Sequence, residues 1–308
     1  MLSKKTVVLA KIESTYGTDP TPTGADNAIE AYEPAVTINP DMKERYPGRD
    51  DISRYPELRG KTAVEVKFST VLRGSGAAGT APKTGPLFRA CGMGETVISS
   101  TSVTYKPVSS SFESCTIYVY IDGILHVVTG CIGDFEIDLT AGEMGKVNWT
   151  FKGLYALPTD QAIVTPTFET TTPVIVKGTT TTFGSYSAII EKLMVKIGNV
   201  VAERPDFNQT DGIKGYAVTS RNPEGSLTVE AVLRAESNAD FLSYFDARTL
   251  KALSMALGAT AGNIVTITAD KCYLRAPAHG DRDGVRTFEL PFQCVRNSGN
   301  DEISIALT

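Results

Sequence analysis

An all-β fold with a minor helical part, arranged as two tandem units, is what this sequence predicts. Three observations predict it. Apolar and polar residues alternate with period two along many short segments, helical patterns are few, and one set of short segments recurs halfway along the chain.

The alternation is plainest in three places. Val64, Val66 and Phe68 share one face of a predicted strand, and Glu65, Lys67 and Ser69 share the other. Phe135, Ile137 and Leu139 alternate with Asp134, Glu136 and Asp138. Segments 116–120 and 125–129 flank Asp122-Gly123, a hairpin turn whose two central residues need positive φ. Segments 264–268, 285–290 and 303–307 complete the strand pattern, and abundant Thr, Val and Ile suit a pleated surface.

Two short helices are expected. Ser237 or Asn238 can cap a helix over 239–247, with Phe241, Tyr244 and Phe245 on one face. Segment 86–91 is its shorter counterpart, with Pro86 in the first turn. Segments 16–27, 40–61 and 178–187 carry turn-forming, charged or Thr-rich sequence and are expected to be irregular.

The repeat rests on several matches in one order. Val36-Thr37-Ile38 with Glu44-Arg45 recurs as Val195-Lys196-Ile197 with Glu203-Arg204, both parts at one constant offset. Val71-Leu72-Arg73 recurs as Val232-Leu233-Arg234, two positions beyond that offset. Irregular segments 46–61 and 206–222 lie between the matched strands, and each half closes with a hairpin, 134–151 or 272–292. The first half is expected to carry one extra hairpin, 115–129. The strand pattern breaks near Leu157-Pro158-Thr159-Asp160, so the units divide as 1–160 and 161–308.

Composition narrows the function. The chain is 42% hydrophobic, with a net charge of −5 and a pI near 5.3. That supports a buried core and argues against a general nucleic-acid binder, which needs a basic surface to release phosphate counterions. The start carries no signal-peptide pattern, and no run reaches the roughly 18 apolar residues of a membrane span. Cys91, Cys115, Cys131, Cys272 and Cys294 are scattered and odd in number, which suits buried thiols made in a reducing cytoplasm.

Catalytic signals are weak. His126 and His279 each stand alone, without a nucleophile signature. Gly74, Gly76 and Gly79 space like a dinucleotide loop, but no strand–turn–helix setting surrounds them. Asp134, Glu136 and Asp138 sit about 7 Å apart on one strand face, without a calcium-loop pattern. No cofactor, metal site or catalytic residue is expected.

Segment 40–61 mixes charges of both signs with tyrosines. It is either a mobile surface loop or an adhesive arm that orders against a neighbouring subunit.

The opening Val8-Leu9-Ala10-Lys11-Ile12-Glu13-Ser14-Thr15-Tyr16-Gly17-Thr18-Asp19-Pro20 resembles the start of siphophage tail tube (major tail) proteins. So do Gly85-Pro86-Leu87-Phe88-Arg89-Ala90-Cys91-Gly92, Thr260-Ala261-Gly262-Asn263-Ile264-Val265-Thr266 and the ending Asn297-Ser298-Gly299-Asn300-Asp301-Glu302, as later segments. The ordered set spans nearly the whole chain. The resemblance implies tail-tube-type β-sandwich or half-barrel domains with a flanking helix, assembling into stacked rings around a DNA channel. It also implies tape-measure, tail terminator and tail-tip proteins as partners, and a place in the virion. The other reading of the same strands is a tandem β-sandwich adhesin or tail-tip binding module.

Three expectations follow. Rings of this kind present six tube domains, so two per chain implies a homotrimer with pseudo-sixfold symmetry; a six-chain ring is the alternative. Double-stranded DNA must slide through without specific binding, so the bore should carry acidic or neutral groups. The candidates are Asp134, Glu136 and Asp138, Thr228 and Glu230, and Glu65, with Lys67 on its face counting against it. Contacts between subunits are expected from 1–23, 40–61 and 203–222, with Lys43, Arg45, Tyr46, Arg49, Arg54, Tyr55, Arg59, Arg204 and Phe207 as candidates.

Overall fold

Strands make up 52% of the chain and helices 4%, which is the all-β architecture with minor helix that the alternation predicts. The computed structural model describes residues 4–184, 186–187, 189–234 and 239–308. The first half contributes β1 (Thr6–Ile12), β2 (Ala28–Ile29), β3 (Tyr32–Lys43), β4 (Leu58–Val71), helix α1 (Gly85–Ala90), β5 (Met93–Ile98) and β6 (Ser102–Pro107). It continues with β7 (Cys115–Ile121), β8 (Ile124–Thr140), β9 (Lys146–Leu154) and β10 (Thr159–Asp160). The second half contributes β11 (Thr180–Phe183), β12 (Ile190–Lys196), β13 (Asn199–Pro205), β14 (Ile213–Arg221), β15 (Glu224–Glu230) and helix α2 (Phe241–Asp246). It ends with β16 (Lys251–Leu257), β17 (Val265–Leu274), β18 (Ala278–Arg282), β19 (Val285–Cys294) and β20 (Ser304–Leu307).

Eight of these form one continuous antiparallel wall, in the order β3, β4, β9, β8, β12, β15, β19, β18. The two halves join in its middle, where β8 pairs with β12 from Glu136↔Lys196 to Thr140↔Lys192. Strand β8 is long enough to bend out of the wall and serve a second layer, and β17, which belongs to that layer, reaches the wall where Cys272–Leu274 pair with β19 beside β18. Behind the first half that layer is β2, β1, β7 and β8; behind the second it is β11, β16, β17, β20, β6 and β5.

The core lies between the layers and runs without a break through both halves. Val64, Val66 and Phe68 point into it from β4, Phe135, Ile137 and Leu139 from β8, and Leu227 and Val229 from β15. Helix α1 drives Phe88 into an aromatic knot, 5.2 Å from Phe135, 4.9 Å from Trp149 and 5.0 Å from Tyr105. Such aromatic pairs add about 0.5–1.5 kcal/mol each beyond their buried area. The Trp149 indole N–H donates to Thr70 Oγ1 at 2.9 Å, so the indole is not an orphan donor.

Strand pairings recur at fixed spacing. β7 and β8 carry a bulge at Cys115/Ile117, and β16 and β17 carry the same bulge at Lys251/Leu253. The Cys131 thiol turns back to the Val128 carbonyl, as the Cys272 thiol does to that of Ala269. The Leu72 amide donates to Gly145 O as the Ala231 amide does to Arg286 O. Counterparts of β3 and β4 are therefore found at the offset that carries Val36 to Val195. Those of β8 and β9 are found at the shorter offset that carries Cys131 to Cys272.

Four expectations change. The match of Val71 with Val232 is displaced by two from the hydrogen-bond pattern. Hairpin 115–129 has a counterpart in β16–β17, and the hairpin without one is β5–β6, whose strand β6 pairs with β20. Helix α2 is capped by Asp240, whose Oδ1 accepts from the Ser243 amide at 3.0 Å; Ser237 and Asn238 lie outside the described residues. Segments 40–61 and 178–187 are partly stranded: β3 and β4 run into the first, and β11 lies in the second.

Candidate functional site

Cross-strand register places side chains on the wall. Residues directly opposite in neighbouring strands point to the same face. Lys67, Thr150 and Asp134 stand opposite one another across β4, β9 and β8. Asn148, Glu136, Lys196, Glu224 and Gln293 do so across five strands, and Asp138, Met194 and Ser226 across three. Thr228 faces Glu289 on β19, and Glu230 follows two residues along. Glu65, Asp134, Glu136, Asp138, Thr228 and Glu230 thus share the polar face of one sheet, drawn together from both halves.

That face also carries lysines. Lys67 Nζ lies 2.5 Å from Glu65, Lys192 3.1 Å from Asp138, and Lys196 2.8 Å from Glu224. Lys146 and Lys152 stand on it too. The expectation of acidic or neutral groups alone does not hold for this face, whose charge is mixed. Lys196, hydrogen-bonded to Glu224, holds that carboxyl below its usual range, and Glu224 raises Lys196 in return. A lysine held by a carboxylate is a poor phosphate clamp, because capture of a phosphate must first break the pair.

Where β12 leaves the wall, the chain turns at Gly198 into a ribbon, β13–β14, that crosses the polar face. A cleft of ≈ 380 Å³ remains beneath its root, lined by Asp134, Glu136, Lys152, Lys196 and Asn199 among others. Burial raises the Asp134 carboxyl above its ordinary value, opposed by a 3.1 Å hydrogen bond from the Asn199 amide. The Asn199 side chain donates to Cys91 O at 2.7 Å and Gly133 O at 3.0 Å. These bonds pin the root.

Further out, Ile213 and Tyr216 pack on Ile132, with Ala63 and Leu154 alongside. Lys61 pairs with Glu203, and Arg59 reaches Asp211 at 3.1 Å while stacking 4.6 Å over Tyr155. Tyr16 locks the ribbon from the side. Its hydroxyl donates to Gly130 O at 3.0 Å and accepts from the Tyr216 amide at 2.8 Å. A Cβ at Gly215 would collide with the Tyr16 ring, and one at Gly130 would come within 2.9 Å of it, so both positions need glycine. Glu13, 7% exposed, anchors the Tyr16 loop by accepting from the Gly17 and Gly130 amides and from Ser114 and Thr116 hydroxyls at 2.6–2.7 Å.

Of the remaining candidates, all but Arg204 and Phe207 lie on a first arm formed by the far ends of β3 and β4, the ribbon β13–β14 being the second arm. Residues 44–57 of that arm are outside any strand. Arg45 and Arg49 stack over Tyr55 at 5.2 and 4.4 Å, Tyr46 bonds Glu44, and Arg54 lines the same shallow groove. Lys43 pairs with Asp41 at 2.7 Å. Phe207, at the tip of the second arm, is 96% exposed, and Arg204 lies opposite Gly215 on its flank.

The sequence motifs weighed for chemistry take ordinary structural places. His126 lies in β8, where burial lowers its pKa, and the His279 ring packs 4.8 Å from Phe288. The amide of Gly74 donates to the Asn263 side chain at 2.9 Å, and no helix follows that loop directly. The five cysteines are buried free thiols. Among the described residues no cluster of metal-ligating side chains occurs, and no helix is long and apolar enough to cross a membrane.

Sequence reasoning noted Lys67 but missed the other wall lysines, the Asn199 root and the Tyr16 lock. Only Tyr16 left a trace, as one aromatic within a loop otherwise of small and polar residues. No curated protein matches the chain. The pattern of phage tail tube proteins matches residues 3–294, so this strand-rich chain belongs to the phage tail tube protein family, a structural component of the virion.

Proposed function

We propose that three copies join edge to edge into a ring, and that stacked rings form the tube through which a long-tailed, non-contractile phage ejects its DNA. The observation that carries this reading is the β8–β12 joint. It welds the last wall strand of the first half to the first wall strand of the second, and leaves β3 and β18 as the outer edges. An open edge is a template for another strand. Repeating the internal joint between chains sets β18 of one against β3 of the next, with Ala278 opposite Thr37 and Gly280 opposite Ala35. Three eight-stranded walls then close into a barrel of about 24 strands, roughly 45–50 Å across at the backbone for a tilt of about 40°.

The tandem strand pairings, repeated at fixed offsets, support two tube-type domains per chain and pseudo-sixfold symmetry. The polar wall face turns to the bore, since the other face is the core. Its acids repel phosphate weakly, and three of its lysines, Lys67, Lys192 and Lys196, are held from phosphate by carboxylates, which favours duplex DNA sliding over sticking. As in the siphophage tubes that the chain resembles, the tube is built along a tape-measure protein and ends at terminator and tail-tip proteins.

Electron microscopy of the assembled protein tests the reading. Tubes of three-chain rings are expected. A true sixfold ring with one domain per chain at the bore overturns it, as do monomers that bind cell-surface glycans. Within tubes, Glu136→Lys adds an unpaired cation to the bore without removing an ion pair, and should slow ejection. Unchanged ejection overturns the electrostatic part.

A further inference from the structure

The two arms are built on one frame. Met42↔Arg59 and Lys43↔Leu58 recur as Val201↔Val218 and Ala202↔Ala217, all at the offset that carries Val36 to Val195. Continued outward, that register sets 44–46 against 54–57 as 203–205 stand against 213–216, leaving tip loops 47–53 and 206–212 of equal length. The second arm is fully paired and its Ile213 and Tyr216 are each 3% exposed. The first is open beyond Lys43, with Tyr46 at 69%, Leu58 at 52% and Ile52 fully exposed. What differs is the surface beneath. The second arm lies on the first half of its own chain; among the described residues no such surface lies beneath the outer part of the first arm.

We propose that the first arm of one chain lies on the second half of the neighbouring copy, in the way the second arm lies on the first half. This rests on the ring reading above and names the surface that receives the arm. Counterparts of Ile132, Ala63 and Leu154 are Tyr273, Asn222 and Val295, a partly exposed patch at the far end of β17, β15 and β19.

Both sides of the contact change character together. Under the second arm, Ile213 and Tyr216 meet Ile132 and Ala63; under the first, Arg54 and Glu57 meet Tyr273 and Asn222. At these positions apolar on apolar becomes polar on polar, while Val295 keeps the apolar character of Leu154. At the tip the change runs the other way. The Asp211–Arg59 ion pair becomes Ile52 against Val218, two aliphatic side chains. That gives the exposed Ile52 a partner. A surface that matched only by chance would not alter with its partner in two opposite senses.

A disulfide tests the contact. A Cβ at Gly212 lies 3.8 Å from Lys61 Cβ, within the disulfide range. The counterparts of that pair are Ser53 and Ser220, so Ser53→Cys with Ser220→Cys should link chains in oxidised tubes, giving covalent species up to the trimer. The native thiols are buried and do not compete. Thr37→Cys with Ala278→Cys reports the ring edge separately. Tubes whose edge pair links and whose arm pair does not overturn the arm contact alone. A disulfide that joins the two introduced arm cysteines within one chain also overturns it. Tubes in which neither pair links overturn the ring reading and this one with it.

Discussion

The second arm holds its pairing to the tip and the first does not, although both leave the wall through matching registers. The difference lies in what each covers. A two-stranded ribbon alone is marginal in water, because its hydrogen bonds only replace those to solvent. Burying Ile213 and Tyr216 on Ile132 supplies the missing stabilisation, and the Tyr16 hydroxyl adds two directional bonds. Sequence at the arm tip therefore matters less to its order than the presence of a floor.

The largest expected effect follows from deleting each arm. Removing 48–57, which spares Arg59 and its contacts with Asp211 and Tyr155, should leave the monomer's melting temperature unchanged and abolish tubes. Removing the counterpart, 207–216, strips the cover from Ile132, Ala63 and Leu154, and should destabilise the monomer by about 2–4 kcal/mol. Thermal unfolding with electron microscopy separates the two. Equal loss of monomer stability in both deletions would break the comparison.

Single side chains sharpen it. Ile213→Ala opens a cavity under the docked arm and should cost about 2–4 kcal/mol by denaturant unfolding. Ile52→Ala, on the free arm, should change monomer stability by less than about 0.5 kcal/mol while weakening assembly. A smaller effect is expected at the lock. Tyr16→Phe keeps the ring against Gly130 and Gly215 but removes the hydroxyl that bonds Gly130 O and the Tyr216 amide, at a cost of about 1–2 kcal/mol. Faster amide exchange at Tyr216 alone, among the ribbon amides, would place that loss at the lock.

Legibility follows burial. Strands with one buried face, such as Val64–Phe68 and Phe135–Leu139, stand out because an apolar stripe at period two has no competing explanation. The Asp122-Gly123 and Asp283-Gly284 turns are equally plain, and all four residues have positive φ. The outer ends of β3 and β4 carry charges on both faces, so nothing in their local sequence marks them as strands; they are set by register with the buried part. The Asp-Gly turn makes 115–129 look like an addition, because its counterpart β16–β17 is joined by a longer loop without that signal. The wall lysines lie on different strands from the acids they meet, except Lys67, and no single strand reveals its neighbour. The lock is invisible for the same reason, since Tyr16 meets Gly130 and Gly215 only after the sheets have formed.

The smallest expected effect lies at the root of the docked arm. Burial raises Asp134 in the folded state, so the folded protein holds that proton more tightly than the unfolded chain. Ionised Asp134 therefore costs stability above its folded pKa, and the cost disappears as pH falls through that value. Asp134→Asn keeps an oxygen to accept from the Asn199 amide and removes the cost, so it should stabilise the protein near neutrality, with the gain vanishing on acidification. Glu224→Gln should act in the opposite sense. Lys196 lowers that carboxyl, so its contribution is present above the usual carboxylate range and is lost as pH falls through the lowered value. Denaturant unfolding of both variants from about pH 4 to 8 reads the two signs. The first arm has no such group at its root. The counterpart of Asn199 is Pro40, which has no amide hydrogen, and the counterpart of Asp134 is Arg275, which instead pairs with Glu224 at 2.9 Å. A carboxylate is buried at one root because an amide there needs an acceptor; where proline removes the donor, the acid is absent too.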